Sequence, residues 1–189
     1  MNMSFLPNLL CVARILLAYP VADGILHGRY PFVLAVIVLA AFTDGLDGFL
    51  AKRFGWHSEL GKVLDPLADK LLLVTVFVCL SVAGLAPWWL TALVLLRDLV
   101  ILFGSLTYKW LFGPLRGAPT IVSKLNTLCQ TLFGLAAVSS AAFGLPAAPL
   151  VTALGALVVV TTAVSGIDYV LIYSRRAAAV ARTRAAASG

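Results

Sequence analysis

The chain has 189 residues, 61% of them hydrophobic and 12% charged, with a mean hydropathy of +1.01. A soluble domain carries roughly 25% charged residues, so a water-soluble globular protein is excluded. Disorder needs low hydrophobicity and high charge, and three widely spaced cysteines build no disulfide scaffold. What remains is an all-α integral membrane protein whose surplus of 14 Lys and Arg over 8 Asp and Glu has to be read by where it falls.

At roughly 20 apolar residues per span, the chain accommodates about six spans with short connections. Breaks at Pro, Gly and charge predict helices over residues 7–26, 31–53, 61–84, 87–110, 120–144 and 148–174. These form one transmembrane domain, 1–174, followed by a basic tail, 175–189. The first stretch lacks a cationic leader region and contains Arg14, Pro20 and Asp23, which predicts a retained span rather than a cleaved signal peptide.

Lys and Arg in short loops mark the cytoplasmic side. With the N-terminus inside, Lys52, Arg53, Lys62, Lys109, Arg116, Lys124, Arg175, Arg176, Arg182 and Arg184 all fall at the inner surface, and Arg29 is the loop cation facing out. This predicts a multi-pass protein of a bacterial cytoplasmic membrane with both termini cytoplasmic. Trp88, Trp89 and Trp110 fall at span ends, where indoles favour the headgroup layer. The Ala-rich tail with its four arginines is expected to form a cytoplasmic helix or arm resting on anionic lipid headgroups, with a solvated tail lacking a partner as the alternative; nothing accompanies it to read bases, so no nucleic-acid partner is expected. Cys11, Cys79 and Cys129 lie in apolar helical sequence as small hydrophobes. His27 and His57 have no partners at metal-ligand spacing and read as interfacial or loop residues.

The segment from Thr43 to Lys70 holds five of the eight acidic residues: Asp44, Asp47, Glu59, Asp65 and Asp69. Asp44, Asp47, Gly48 and Ala51 share one helical face, and Gly61, Asp65 and Asp69 repeat at four on the next helix. The connection from Arg53 to Leu60 lets the two helices return antiparallel, bringing the acids together at the cytoplasmic end. Each charge inside a bilayer costs at least about 2.5 kcal/mol on insertion scales, so a cation must offset them. Oxygen ligands without His or Cys select Mg²⁺, Mn²⁺ or Ca²⁺ over zinc, and four carboxylates hold one or two such ions. Gly48, Ala51 and Gly61 leave room for close approach to the backbone, while Lys52, Arg53, Lys62 and Lys70 crowd the same end. The pattern describes a pocket for a polyphosphate carried on metal. Structural readings exist for the parts: Asp65 before Pro66 also fits a helix N-cap, and Asp44 and Asp47 also fit ion pairs with Lys52 and Arg53.

These residues resemble the signature of the CDP-alcohol phosphotransferase family, D-x2-D-G-x2-A-R-x8-G-x3-D-x3-D. Asp44, Asp47, Gly48, Ala51, Gly61, Asp65 and Asp69 match at the right spacing, and Lys52 stands where the family has Arg. Lysine keeps the charge but loses the bidentate fork, so either Lys52 makes a single phosphate contact or Arg53 takes over. The resemblance implies a six-span fold with Asp44, Asp47 and Asp65 ligating Mg²⁺ or Mn²⁺. Asp69 would be the base for the acceptor hydroxyl and would sit near the ions. It also implies contacts from Gly48, Ala51 and the basic position to the cytidine diphosphate of CDP-diacylglycerol, with Gly61 lining the same pocket, and a homodimer.

Within the family, Leu6 to Arg14, Arg97 with Asp98, and Ser123 to Thr127 followed by Gln130 are most similar to CMP-forming cardiolipin synthases. Ser165 to Tyr169 resembles phosphatidylglycerophosphate synthases at least as well. The acceptor is accordingly phosphatidylglycerol or glycerol 3-phosphate. Candidate acceptor cations are Arg97, Lys109, Arg116 and Lys124, with Lys124 expected beside the site. The sparse charge after Arg97 and Asp98 favours the lipid acceptor. A secondary transporter would instead place binding groups near the bilayer midplane and show a repeat between halves; the sequence has neither feature.

Overall fold

The computed structural model describes the backbone of residues 5–54, 61–112 and 120–187, and the side chains of residues 12–42, 68–107, 110, 120–172 and 174. Among them there is no strand. The elements are α1 (Phe5–Leu26), α2 (Tyr30–Phe54), α3 (Gly61–Val82), α4 (Trp88–Phe112), α5 (Ile121–Phe143) and α6 (Ala148–Ala187). Their ends lie within two residues of the sequence expectation except at the last. The predicted final helix stops at 174, whereas α6 runs without a break to Ala187. Alanine and arginine are strong helix formers, and the tail offers no Gly or Pro before Gly189 to stop the helix.

The first, third and fifth helices end alike. Gly28, Gly84 and Gly144 have φ of 70°, 74° and 70°, a left-handed conformation that L side chains resist. At Gly28 the amide of Arg29 donates to the Gly24 carbonyl at 2.8 Å and that of Gly28 to Ile25 at 3.2 Å; Leu85 to Leu80 (2.8 Å) and Gly84 to Ser81 (3.2 Å) repeat the pattern. Both are Schellman caps. Gly144 bonds back to Ser140 at 2.8 Å, the simpler form. A proline follows each, and Pro31 and Pro149 fall in the first turns of α2 and α6, where a missing N–H costs nothing. At the first turn Asp23 also pairs with Arg29 and with His27, 3.0 Å away.

The chain forms two compact units. One contains residues 1–88 and 131–151, the other 89–130 and 152–189. In the first, α1 packs on α2 and α3 around Val21, Ile25, Val33, Phe77 and Leu80, all 1% exposed or less. Phe77 meets Phe133 with ring centroids 5.6 Å apart. In the second, the buried set is largely polar: Thr91, Arg97, Asn126, Gln130, Thr162 and Ser165.

Large apolar side chains face outward instead. Leu96, Phe103 and Leu106 on α4 and Val160 and Ile167 on α6 are all more than half exposed. Polar inside and apolar outside is the arrangement expected when hydrocarbon is the solvent. Among the described residues, three helical stretches are long and apolar enough to cross a membrane: Trp88–Thr107, Ile121–Phe143 and Ala148–Ile172. Trp88, Trp89 and Trp110 are exposed at the two ends of α4; 22 residues of helix span about 33 Å, close to the thickness of a bilayer core. The protein is an all-helical integral membrane protein.

The α1 to α2 contact is closest at Gly24, where a Cβ would stand 2.5 Å from Val33 Cγ2. Val33 is fully buried and has no space to yield. Gly24→Ala is therefore expected to destabilise by about 1–3 kcal/mol through overpacking, despite alanine's better helix propensity. A lowered melting temperature in detergent checks this; an unchanged or raised one contradicts the packing.

Candidate active site

The helix α2 continues unbroken through Phe54, so Asp44, Asp47, Gly48, Ala51, Lys52 and Arg53 all lie on it. Gly61, Asp65 and Asp69 lie on α3. The backbone thus supplies the helical register that the spacing requires. The side chains of all but Asp69 lie outside the described residues, as does His57. One structural alternative is corrected: α3 begins at Gly61, four residues before Asp65, so Asp65 is inside the helix and does not cap it. Pro66 accordingly sits in the second turn, where it removes a helical hydrogen bond.

Asp69 has a partner that the acidic motif does not include. Arg14 Nη1 donates to Asp69 Oδ1 at 2.6 Å. The arginine side chain is 4% exposed and the carboxylate 50%, so a buried guanidinium presents a half-open carboxylate. Arg14 lies nine residues into α1 and Asp69 eight residues into α3; at about 1.5 Å per residue the two depths agree within a few ångströms. A charge-assisted bond at this distance fixes the orientation of the carboxylate. The pair also answers the cost of an intramembrane arginine, which otherwise demands a partner. Arg14 is legible as a lone cation inside an apolar helix, a signal that the sequence reading took only as evidence for a retained span.

The donor set fits a hard divalent cation: four carboxylates at helical spacing, of which the described member, Asp69, is half exposed. Asp44, Asp47, Asp65 and Asp69 are the residues that would hold it. Among the described residues alone no group of three metal-binding side chains occurs.

The second unit is organised by Arg97. Its guanidinium donates to Asp98 at 2.7 Å and to Ser123 at 2.7 Å. It also bonds Ser165 and lies 5.8 Å from the Tyr169 ring centroid. With 6% exposure, it is an internal tie between α4, α5 and α6 rather than an open acceptor cation. Lys124, by contrast, is exposed on α5. The side chains of Lys109 and Arg116 lie outside the described residues.

Below Ser123 on the same face of α5 come Asn126 and Gln130, both 0% exposed. Asn126 Oδ1 accepts bonds from Thr161 at 3.0 Å and Thr162 at 2.9 Å. Asn126 Nδ2 and both amide atoms of Gln130 have no hydrogen-bond partner among the described residues. Each such buried group costs about 1–3 kcal/mol, an unusual expense for helix packing alone. The spacing 123, 126, 130 marks this polar face in the sequence, where the segment registered only as a family resemblance.

The sequence profile described as CDP-alcohol phosphatidyltransferase matches residues 4–166. A human protein named cardiolipin synthase (CMP-forming) is 33% identical over 180 residues, covering 87% of this chain and 60% of the relative. A Mycobacterium tuberculosis protein named probable phosphatidylglycerophosphate synthase is 32% identical over 181 residues, 89% of this chain and 78% of the relative. A rice protein named chloroplastic CDP-diacylglycerol–glycerol-3-phosphate 3-phosphatidyltransferase 1 is 31% identical, covering 89% of this chain and 56% of the relative. The chain thus spans less than two thirds of the human and rice relatives. The profile match covers most of the chain, including the whole acidic motif and both helices that carry it, and the chain belongs to the CDP-alcohol phosphatidyltransferase family.

Proposed function

We propose that this membrane-embedded phosphatidyltransferase moves the phosphatidyl group of CDP-diacylglycerol onto phosphatidylglycerol, giving cardiolipin and CMP. The observation that carries the choice of acceptor is the commitment of Arg97. Both Nη groups of its buried guanidinium are engaged by Asp98, Ser123 and Ser165, and Lys124 is the exposed described cation on α5. Among the described residues that is less positive charge than a glycerol 3-phosphate dianion calls for, whereas a singly charged lipid headgroup needs no more. The similarity to human cardiolipin synthase supports the same reading. The similarity to the mycobacterial and rice proteins favours a second one, glycerol 3-phosphate as acceptor.

In the reaction, the acceptor hydroxyl oxygen bonds to the phosphatidyl phosphorus and the bond from that phosphorus to the CMP oxygen breaks. Asp69 accepts the hydroxyl proton. Arg14 holds the Asp69 carboxylate in place, so the base arrives oriented rather than mobile. Gly48, Ala51 and Gly61 admit the diphosphate close to the helix backbones, and Lys52 or Arg53 contacts it. A Mg²⁺ or Mn²⁺ bound by the aspartates supplies charge stabilisation for the departing phosphate. The family resemblance adds a homodimer in a bacterial cytoplasmic membrane, with the site at the cytoplasmic end.

Purified protein given CDP-diacylglycerol with either acceptor is expected to release CMP and form cardiolipin from phosphatidylglycerol, read by mass spectrometry. Formation of phosphatidylglycerophosphate without cardiolipin would overturn the acceptor and keep the transferase; no CMP release with any alcohol would overturn both.

Exhaustive chelation is expected to abolish turnover, with Mg²⁺ or Mn²⁺ restoring it; full activity after chelation would refute the metal reading. Asp69→Asn is expected to lower kcat by orders of magnitude with CDP-diacylglycerol binding retained. Arg14→Ala should lower kcat by about 10- to 100-fold, the scale of misplaced catalytic groups, and Arg14→Lys should recover part of it. Equal loss in the Lys and Ala variants would remove Arg14 from the site.

A further inference from the structure

The helix α6 leaves the membrane as a straight continuation of its own span. Apolar side chains on it stay exposed as far as Val170 and Leu171, and the apolar stretch ends at Ile172. Tyr173 follows, a residue type that favours the headgroup layer. The exposed Ser174 returns its hydroxyl to the Leu171 carbonyl at 3.0 Å. From there the helix runs on to Ala187 with no Gly, Pro or acid in it. Its cations come as two pairs, Arg175 with Arg176 and Arg182 with Arg184. Asp168 is the one acid of α6 and lies about 10 Å from Arg175 along the axis, too far to neutralise it in salt.

The unbroken rod sets the two pairs at different heights. At 1.5 Å per residue, the backbone of the first pair lies about 5–6 Å beyond Ile172 and that of the second about 15–18 Å beyond it. The headgroup layer is about 5–8 Å thick on each side, the difference between a whole bilayer and its core. The first pair is therefore level with the lipid phosphates. The second stands clear of them by about the 8 Å over which physiological salt screens a charge, and a tilt of roughly 20° shortens these heights by only about 6%. Bringing the second pair down would tip the whole span, because no break separates them. We infer that Arg175 and Arg176 form a binding site for the phosphate of an anionic phospholipid in the leaflet at this end of α6, and that Arg182 and Arg184 take no part in it. This narrows the expectation of a tail resting on lipid along its length, which a straight helix does not permit while its span crosses the membrane. It lies beyond the transfer reaction and holds whichever alcohol is the acceptor.

The test reconstitutes the full chain in phosphatidylcholine vesicles with a trace of spin-labelled phosphatidylserine or phosphatidylcholine, and reads the preference of the protein-restricted lipid for the serine headgroup. Phosphatidylserine carries the negative charge but no free hydroxyl, so its retention is not acceptor binding. An arginine near anionic headgroups is worth about fivefold in affinity. Averaged over all lipid contacts, Arg175→Gln with Arg176→Gln is expected to lower the preference at least about twofold. Arg182→Gln with Arg184→Gln is expected to leave it unchanged, and Arg175→Lys with Arg176→Lys to retain it, since lysine keeps the charge. Ala179→Pro breaks the rod between the pairs and is expected to raise the preference, with the gain lost when Arg182 and Arg184 are also replaced. Equal falls in the two Gln variants would lay the tail along the surface and overturn the proposal. No fall in either leaves a solvated tail and overturns it equally, as does binding of a soluble oligonucleotide through the first pair with no lipid preference. If the first Gln variant does not fold, Ala179→Pro decides: a preference that does not rise refutes the role of the straight rod and with it the proposal.

Discussion

An ionised side chain within a membrane-spanning helix has to find its partner without bulk water, because the surrounding solvent is hydrocarbon. That constraint explains why the guanidiniums of Arg14 and Arg97 are nearly buried and each bonded to a carboxylate, while leucines and phenylalanines lie open. In a soluble protein the same exposed surface would be a severe aggregation liability. Here it is the contact with lipid. The polar interior is consequently not a defect of packing but the place where charged groups are accommodated inside a membrane protein.

The two arginines resolve the constraint differently. Arg14 pairs across two helices with a carboxylate that stays half open, which leaves the acid reachable while restricting its motion. Arg97 pairs with its own neighbour in sequence, Asp98, and uses its remaining donors to draw in Ser123 and Ser165 from two other helices. One cation holds a half-exposed carboxylate; the other joins secondary structure. Local sequence hardly separates these roles, since both are single arginines in apolar helices. The difference lies in which carboxylate the fold brings within reach.

Much of the architecture was legible in the sequence because Gly, Pro and charge punctuate it strongly. The expected breaks near Leu26, Gly84 and Gly144 coincide with the glycine caps, where a positive φ excludes most other residues. The last helix continues past the predicted span end at residue 174 as the helical form of the expected tail, since charge ends a membrane span without stopping a helix. At the site, the spacing of Asp44, Asp47, Asp65 and Asp69 was sufficient to predict a helical register, which α2 and α3 supply. The partner of Asp69 was not legible, since the pairing of residues 14 and 69 depends on helix packing that no local pattern encodes. Likewise, Asn126 and Gln130 were visible as polar residues, but not as groups left without partners.

The unbroken course of α6 has a mechanical consequence. Its 40 residues make a rod about 60 Å long at 1.5 Å per residue, and the apolar part ends at Ile172. The 15 helical residues from Tyr173 to Ala187 extend it by roughly 22 Å and carry Arg175, Arg176, Arg182 and Arg184. With no hinge between the span and the extension, a pull on those cations by anionic headgroups acts as a torque on the span. Force on the extension is carried directly into the part of the helix that holds Thr161, Thr162 and Ser165.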